Sequence, residues 1–326
     1  MATTPQGNGA GQSSGADGST SGGGAAPLPG LLYRGGRTIR DLSFKTFYYG
    51  SVWQQDPNSP VVNRLAATRT QIDGAIVAAM TDPQLNGILS QYFGGQPVSS
   101  AALPSEIIAN APRTASPNIA FNETDIRGVI AGLVATGLVG LDLANTAINI
   151  VLPPGMSLEI LGLDEQERPS GATVMPGVPH DSPNYDSGIA GYHGSAAMQM
   201  AGKSVDVLYS VVVWSDGSTG IPVPGWDGWE NVVATLYHEL QETRTNPDVD
   251  RAIRTGDNGF VGWNTDPVDG PDGSDCREIA DLPLILNNDR RYAAFARVAV
   301  AGLSAPVPIQ LMWSNQHGRM MPDASG

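Results

Sequence analysis

"ATLYHELQETRTNPDVD", residues 234–250, places a histidine directly before a glutamate and a second glutamate one helical turn further on. These residues are His238, Glu239 and Glu242. At about 100° per residue, the apolar residues of the stretch fall on one side of a helix, and residues 238 and 242 fall together on the other. The spacing therefore predicts a helix that can hold one ion between His238 and Glu242.

This arrangement has the geometry of the HExxH motif of zinc peptidases, in which two histidines one turn apart bind zinc and the intervening glutamate is a general base. In this chain Glu242 takes the place of the second histidine, and Glu239 is the predicted catalytic base. The alternative is a solvated helix face, because HExxE alone is a weak pattern. The same face carries Asn231 and Thr235 but no Glu–Lys pair one turn apart, which favours a recessed position.

A metal site needs further ligands, and the segment CREIADLP, residues 276–283, offers two carboxylates on one side of a helical turn. Asp281 is favoured as the third ligand. Glu278 is either a fellow ligand or a group that orients His238 through the second ring nitrogen. The alternative interpretation is an acidic loop residue that caps a helix.

Two further residues are predicted to bind substrate. His193, in AGYHGS, is predicted to lie in a Gly-rich turn, where it could line a substrate cleft, serve as an alternative ligand or, most simply, bond to the backbone. Trp263 is the second predicted substrate-binding residue. Zinc is the expected ion, and the alternating acids of DPVDGPDGSD, residues 266–275, make calcium a second candidate, although their spacing is not that of an EF-hand loop.

Composition excludes some classes of function. The formal net charge of -14 and a pI near 4.5 argue against nucleic-acid binding, which needs clustered Lys and Arg. A single cysteine excludes an internal disulfide. The sequence predicts no membrane span, because it has no run of about 18 apolar residues, and no Sec signal is visible at its N-terminus. Localisation and oligomeric state stay open at this stage.

The chain is predicted to form one domain after a disordered tail. Residues 1–28 are nearly all small or polar and cannot offset the entropy of ordering. Residues 29–326 mix apolar stretches of both helical and β-favouring character, so the predicted fold class is α+β. Strands are predicted at 43–53, 147–155 and 204–214, and helices at 60–80, 82–93, 122–139 and 229–245.

Several motifs together resemble a known family. HELQETRTNP, GW, EIAD, IQLMWSN, AGYHGS and FYYGSVW are similar in order and spacing to those of the Exordium or phosphate-induced protein family, above all its bacterial members with HELxE, over about residues 31–319. The resemblance implies a secreted or envelope-associated, zincin-like domain with a mixed sheet and an active-site helix. It also implies that His238 and Glu242 are metal ligands, that Glu239 is the base and that the EIAD acids complete the coordination. The chain departs from the bacterial members at Asn246, where they tend to have Asp.

Three hypotheses about function follow. The first is a zinc-dependent, metallopeptidase-like hydrolase of a peptide or protein substrate, in which Glu239 is the base and the strand at 204–214 aligns the substrate by edge pairing. The alternative is a non-catalytic extracellular binding protein that retains a zincin-like scaffold, with the helix as a structural metal clip. A surface or assembly protein is the third, suggested by the Gly/Ser-rich tail.

Overall fold

The computed structural model describes residues 30–322 except for 57, 111–118, 137–140, 159–188, 201, 217–219, 221, 250, 253–258, 260, 266–276 and 287–291. The predicted disordered tail at 1–28 and the calcium-like segment at 266–275 both lie outside the described residues.

The described strands are β1 Leu32–Tyr33, β2 Asp41–Tyr49, β3 Ser99–Ile108, β4 Ile119–Phe121, β5 Thr146–Val151, β6 Met156–Leu158, β7 Gly191–Met200, β8 Lys203–Val212, β9 Trp263–Asn264, β10 Phe295–Val298, β11 Val307–Gln310, β12 Met312–Ser314 and β13 Arg319–Met321. The α-helices are α1 Pro60–Thr81, α2 Pro83–Gly87, α3 Glu123–Thr136, α4 Gly228–Thr245 and α5 Asp281–Leu286, and 3-10 helices span Ser51–Trp53 and Ile88–Phe93.

Capping explains where the predicted helices begin. Ser59 accepts a hydrogen bond from the backbone at the start of α1, and Pro60 occupies the first helical position. Asp82 ends α1 and caps α2, accepting from two backbone N–H groups at 2.8 Å each. Asn122 is the predicted cap of α3 and accepts from the N–H of Asp125 at 3.1 Å. The helices predicted at 60–80 and 122–139 are thus confirmed, whereas 82–93 divides into α2 and a 3-10 helix.

A five-stranded sheet has the strand order β3, β2, β5, β8, β7. The first four strands are parallel to one another, and β7 pairs antiparallel with β8. The strand predicted at 204–214 is β8, which lies between β5 and β7, so the prediction that it aligns a substrate by edge pairing is wrong. Among the described residues β7 is the edge strand next to β8. The prediction of a turn around His193 is wrong, because this segment belongs to β7.

Apolar side chains cover both faces of this sheet. One layer joins α1, α4 and β11 to sheet residues such as Tyr48 and Leu208. The other joins α3 to residues such as Ile150 and Val211 on the opposite face. Helix α4 contacts β5, β7 and β8 on one side and α1 and β11 on others, so it lies inside the body of the protein.

A buried polar row crosses the apolar face that carries α4. It consists of Thr46, Asn149, Ser210 and His193, which are paired in register on β2, β5, β8 and β7. Ser210 Oγ donates to Asn149 Oδ1 at 2.8 Å, and Asn149 Nδ2 donates to Thr46 Oγ1 at 3.4 Å. Because the side-chain period of a strand is two, this register points all four side chains at α4.

The fold is therefore a mixed α/β body built on a five-stranded mixed sheet, which confirms the predicted mixture of helices and strands and the mixed sheet. None of the helices in the described part of the chain is both long and apolar enough to cross a membrane.

Candidate metal centre

Helix α4 carries the HELQE stretch and is buried along its length. Asp227 and Glu230 form a capping box at its start, and the helix ends at Asn246. Every residue from 230 to 245 is buried, including all the polar ones. The solvated-face interpretation of this helix is therefore excluded, and the predicted recessed position is confirmed.

The close approach of β7 to α4 depends on a residue without a side chain. A Cβ added to Gly191 would lie 2.7 Å from the Cγ2 of Thr235 on α4 and 2.8 Å from the carbonyl oxygen of Val211 on β8. It would also lie 3.0 Å from Glu239 Oε1. Gly191 therefore sets the distance between the edge strand and the helix that carries the candidate ligands.

The ring of His238 is held in one orientation. Its Nδ1 lies 2.9 Å from Gln310 Oε1, while Gln310 Nε2 donates to the carbonyl oxygen of Ala280 at 2.6 Å. Because the amide nitrogen is used by that carbonyl, its oxygen must face the ring, and Nδ1 must carry a hydrogen. The lone pair of Nε2 then points to Glu242 Oε2 at 2.9 Å and Asp281 Oδ1 at 3.7 Å.

Glu242 is held by backbone hydrogen bonds to one carboxylate oxygen, and its other oxygen faces the cluster. Its Oε1 accepts from the backbone N–H groups of Ala280 and Asp281 at 3.2 Å each. Its Oε2 is fully buried and has no hydrogen-bond partner within the described residues. A buried oxygen without a hydrogen-bond partner costs of order 1–3 kcal/mol, and a bound cation would remove this cost.

His193 brings the second imidazole of the cluster. Its Nδ1 lies 3.3 Å from Glu239 Oε2 and 3.6 Å from Glu242 Oε2. Its Nε2 lies 3.4 Å from the carbonyl oxygen of Asn246 and 3.9 Å from Glu278 Oε1. The structure thus places His193, fully buried, among the predicted ligands.

Asn246 and Glu278 form the remaining wall. Asn246 Nδ2 donates to Glu278 Oε1, and Glu278 Oε2 has no hydrogen-bond partner among the described residues. An ionised aspartate at position 246 could not donate this bond, so the asparagine has a physical role in this chain. Glu278 faces His193, and the group on the second nitrogen of His238 is Gln310.

Two sets of three ligand atoms result, and each set lies within 4.8 Å. One set is His238, Glu242 and Asp281, as the sequence predicts, and the other is His193, Glu239 and Glu242. Glu242 belongs to both. The segments around 238 and 278–281, distant in sequence, are therefore neighbours in space.

Electrostatics in the metal-free cluster favour the neutral forms of Glu242, Glu278 and Asp281. Burial, reinforced by nearby carboxylates, raises the pKa of Glu242 and of Glu278 well above the usual range. Burial also raises the pKa of Asp281, although His238 and Arg277 oppose the shift. For His193, burial alone would lower the pKa, but the carboxylates of Glu278 and Glu239 raise it to about 9.

We expect the metal-free protein to lose stability as the pH rises. A carboxyl group whose pKa is higher in the folded state stabilises the fold below its unfolded pKa, here 4.5 for Glu242 and Glu278, and that contribution is lost as the pH increases. The same sign holds for His193, whose contribution is complete below 6.5 and is lost through about 9. Urea unfolding of chelator-treated protein should show this decline, and added metal should remove it because metal displaces the protons.

Gln310 is expected to position His238. Gln310→Met keeps the volume but removes the acceptor of Nδ1, so metal affinity should fall by about 10–100-fold. Gln316→Met, at an exposed position, is the matched control and should change nothing. Isothermal titration of both variants measures the effect, and equal affinities would contradict the role of Gln310.

The described contacts of Trp263 are with residues outside the candidate metal centre. Its Nε1 donates to the carbonyl oxygen of Tyr92 at 3.0 Å, and its ring packs against Tyr33 and Tyr92. Its predicted role in substrate binding stays a prediction.

No protein-family model matches this chain, and neither does any curated protein. The resemblance to the Exordium family consequently rests on the quoted motifs alone and stays a prediction.

Proposed function

We propose that this protein is a metal-dependent hydrolase of zincin type, in which His238, Glu242 and Asp281 bind one divalent cation, expected to be zinc. The observation that carries the proposal is the fixed orientation of the His238 ring. Its Nδ1 faces Gln310 Oε1, so its Nε2 faces Glu242 Oε2 at 2.9 Å and Asp281 Oδ1 at 3.7 Å, and one cation could bind all three atoms.

The spacing of these donors suits a metal ion. Ligands at about 2.0–2.1 Å from a tetrahedral zinc lie about 3.3–3.4 Å from one another. The distances from His238 Nε2 to Glu242 Oε2 and to Asp281 Oδ1, 2.9 and 3.7 Å, lie on either side of that value. Imidazole nitrogen and carboxylate oxygen are both ordinary zinc ligands.

Glu239 supplies the base in this proposal. A cation bound here would lower the pKa of a water molecule and polarise a substrate carbonyl. Glu239 follows His238 directly on α4, and its carboxylate accepts the proton from water. His193 Nδ1 lies 3.3 Å from Glu239 Oε2, beside this base. A mixed sheet beside the active-site helix, and the resemblance described above, support the zincin-like interpretation and a peptide or protein substrate.

Glu239→Gln tests the proposal. We expect the variant to retain zinc at His238 but to hydrolyse a peptide library at least about 100-fold more slowly, which is within the usual contribution of a general base. Elemental analysis gives the metal content and mass spectrometry of the library gives the cleavage. Wild-type protein that binds zinc and cleaves no peptide, or a variant as active as wild type, would refute the proposal.

Burial favours a second candidate, the non-catalytic protein with a structural metal clip. Structural metal sites are closed, whereas catalytic sites keep an open position. His238, Glu242 and Glu278 expose no surface, and the side chain of Asp281 exposes 13%. In this case the cation joins α4 to the 277–281 segment, removal of metal lowers the melting temperature, and Glu239→Gln has no measurable consequence.

A further inference from the structure

The two imidazoles of the cluster share one geometric property. Each has one ring nitrogen next to a neutral oxygen acceptor, Gln310 Oε1 for His238 and the carbonyl oxygen of Asn246 for His193. Each has its other nitrogen next to two carboxylate oxygens. Glu242 Oε2, which has no hydrogen-bond partner among the described residues, is the oxygen that both rings face.

This property makes His193 a second candidate ligand. Its named neighbours, Glu239, Glu242, Glu278 and the Asn246 carbonyl, are oxygens that accept hydrogen bonds when the carboxylates are ionised. Metal binding requires the neutral imidazole, whose single N–H leaves the other ring nitrogen with a lone pair that can bind a cation. The carbonyl oxygen of Asn246 suits an N–H at Nε2, which leaves Nδ1 directed at Glu239 and Glu242.

The charge of the carboxylates around the two rings also supports a second site. Four buried or nearly buried carboxylates, those of Glu239, Glu242, Glu278 and Asp281, surround the two rings. Metal binding needs ionised carboxylates, and one divalent cation would offset only two of their four formal negative charges. Glu278 Oε1 lies 3.9 Å from His193 Nε2, which places this carboxylate on the His193 side of the cluster.

We propose that the cluster binds a second divalent cation, with His193, Glu239 and Glu242 as its ligands and Glu242 as the bridge to the first. The distances from His193 Nδ1, 3.3 Å to Glu239 Oε2 and 3.6 Å to Glu242 Oε2, are close to the separation of about 3.3–3.4 Å between tetrahedral zinc ligands. Two divalent cations balance the formal charge of the four carboxylates.

The second cation regulates the proposed hydrolase, and this step rests on the function proposed above. A carboxylate that binds a metal ion is no longer a free base, so occupancy at His193 withdraws Glu239 from proton transfer. The first equivalent of zinc should therefore activate hydrolysis and the second should inhibit it.

The full-length protein, stripped with a chelator and titrated with Zn²⁺ and separately with Co²⁺, provides the test. We expect about two equivalents per chain in wild type by calorimetry and elemental analysis, and about one in His193→Ala. Two Co²⁺ ions joined by Glu242 should couple magnetically, so the paramagnetic resonance signal should weaken at the second equivalent. Glu239→Gln is the second variant and should also lose the second equivalent while keeping the first.

Each result bears on one proposal separately. A wild type that binds one equivalent, or a folded His193→Ala that still binds two, overturns the second site and leaves the hydrolase proposal intact. Two equivalents in wild type with no peptide cleavage at any point of the titration, including the first equivalent, support the second site and refute the hydrolase. If His193→Ala does not fold, loss of the second equivalent in Glu239→Gln decides the question.

Discussion

Glu242→Gln is expected to abolish metal binding at the centre, with a loss of affinity above about 100-fold. Groups that only orient metal ligands already contribute about 10–100-fold, so removal of a ligand shared by both sets should cost more. The amide can still accept from the N–H groups of Ala280 and Asp281, so the backbone around the site should stay in place. Isothermal titration with zinc measures the loss directly.

The same substitution should raise the stability of the metal-free protein. It removes a buried carboxylate oxygen without a hydrogen-bond partner among the described residues, and the new amide group can donate to His238 Nε2, so we expect a gain of order 1 kcal/mol in the free energy of unfolding. Glu106→Gln is the control, because the side chain of Glu106 is 60% exposed and its ion pair with Lys45 contributes little. Unchanged zinc affinity in Glu242→Gln would contradict both proposed sites.

Gly191→Ala is expected to destabilise the fold by about 1–3 kcal/mol or more, as overpacked cores do. The new methyl group would meet Thr235 at 2.7 Å and the backbone oxygen of Val211 at 2.8 Å. The backbone of β8 cannot yield as a flexible side chain can, so β7 has to move away from α4. The movement also carries His193 away from Glu239, so zinc affinity should fall together with the melting temperature.

Gly132→Ala gives the matched control with the opposite sign. Gly132 lies within α3, and a Cβ at this position meets nothing within 4 Å. Alanine in a helix is favoured over glycine by about 0.5–1 kcal/mol, so this variant should be more stable than wild type. Urea unfolding compares the two variants, and equal stability of Gly191→Ala and wild type would show that β7 does not approach α4 as described.

The sequence predicts the local features of this protein well because they depend on near neighbours. The caps at Ser59 and Asn122 and the helical period of 229–245 are local, and they correctly locate α1, α3 and α4. The period cannot reveal what covers a helix. Helix α4 is covered by β7, β8 and β11, which are separate elements of the chain.

The errors have long-range causes. Small residues around His193 favour a turn locally, but pairing with β8 makes the segment a strand. Gln310 orients a histidine that lies 72 positions earlier in the chain, and no local pattern marks a single glutamine for such a role. The role of Asn246 follows only from the position of Glu278, 32 positions later in the chain.

The polar row on the sheet has a consequence for misfolding. Parallel strands such as β5 and β8 assemble slowly and can dock out of alignment. A shift of one residue would turn Asn149 and Ser210 toward the apolar layer beneath α3, where each lost hydrogen bond costs about 1–3 kcal/mol. The row thus selects one register between the strands. Mispaired intermediates lose these hydrogen bonds early in folding, and only the correctly aligned sheet brings His193 to α4.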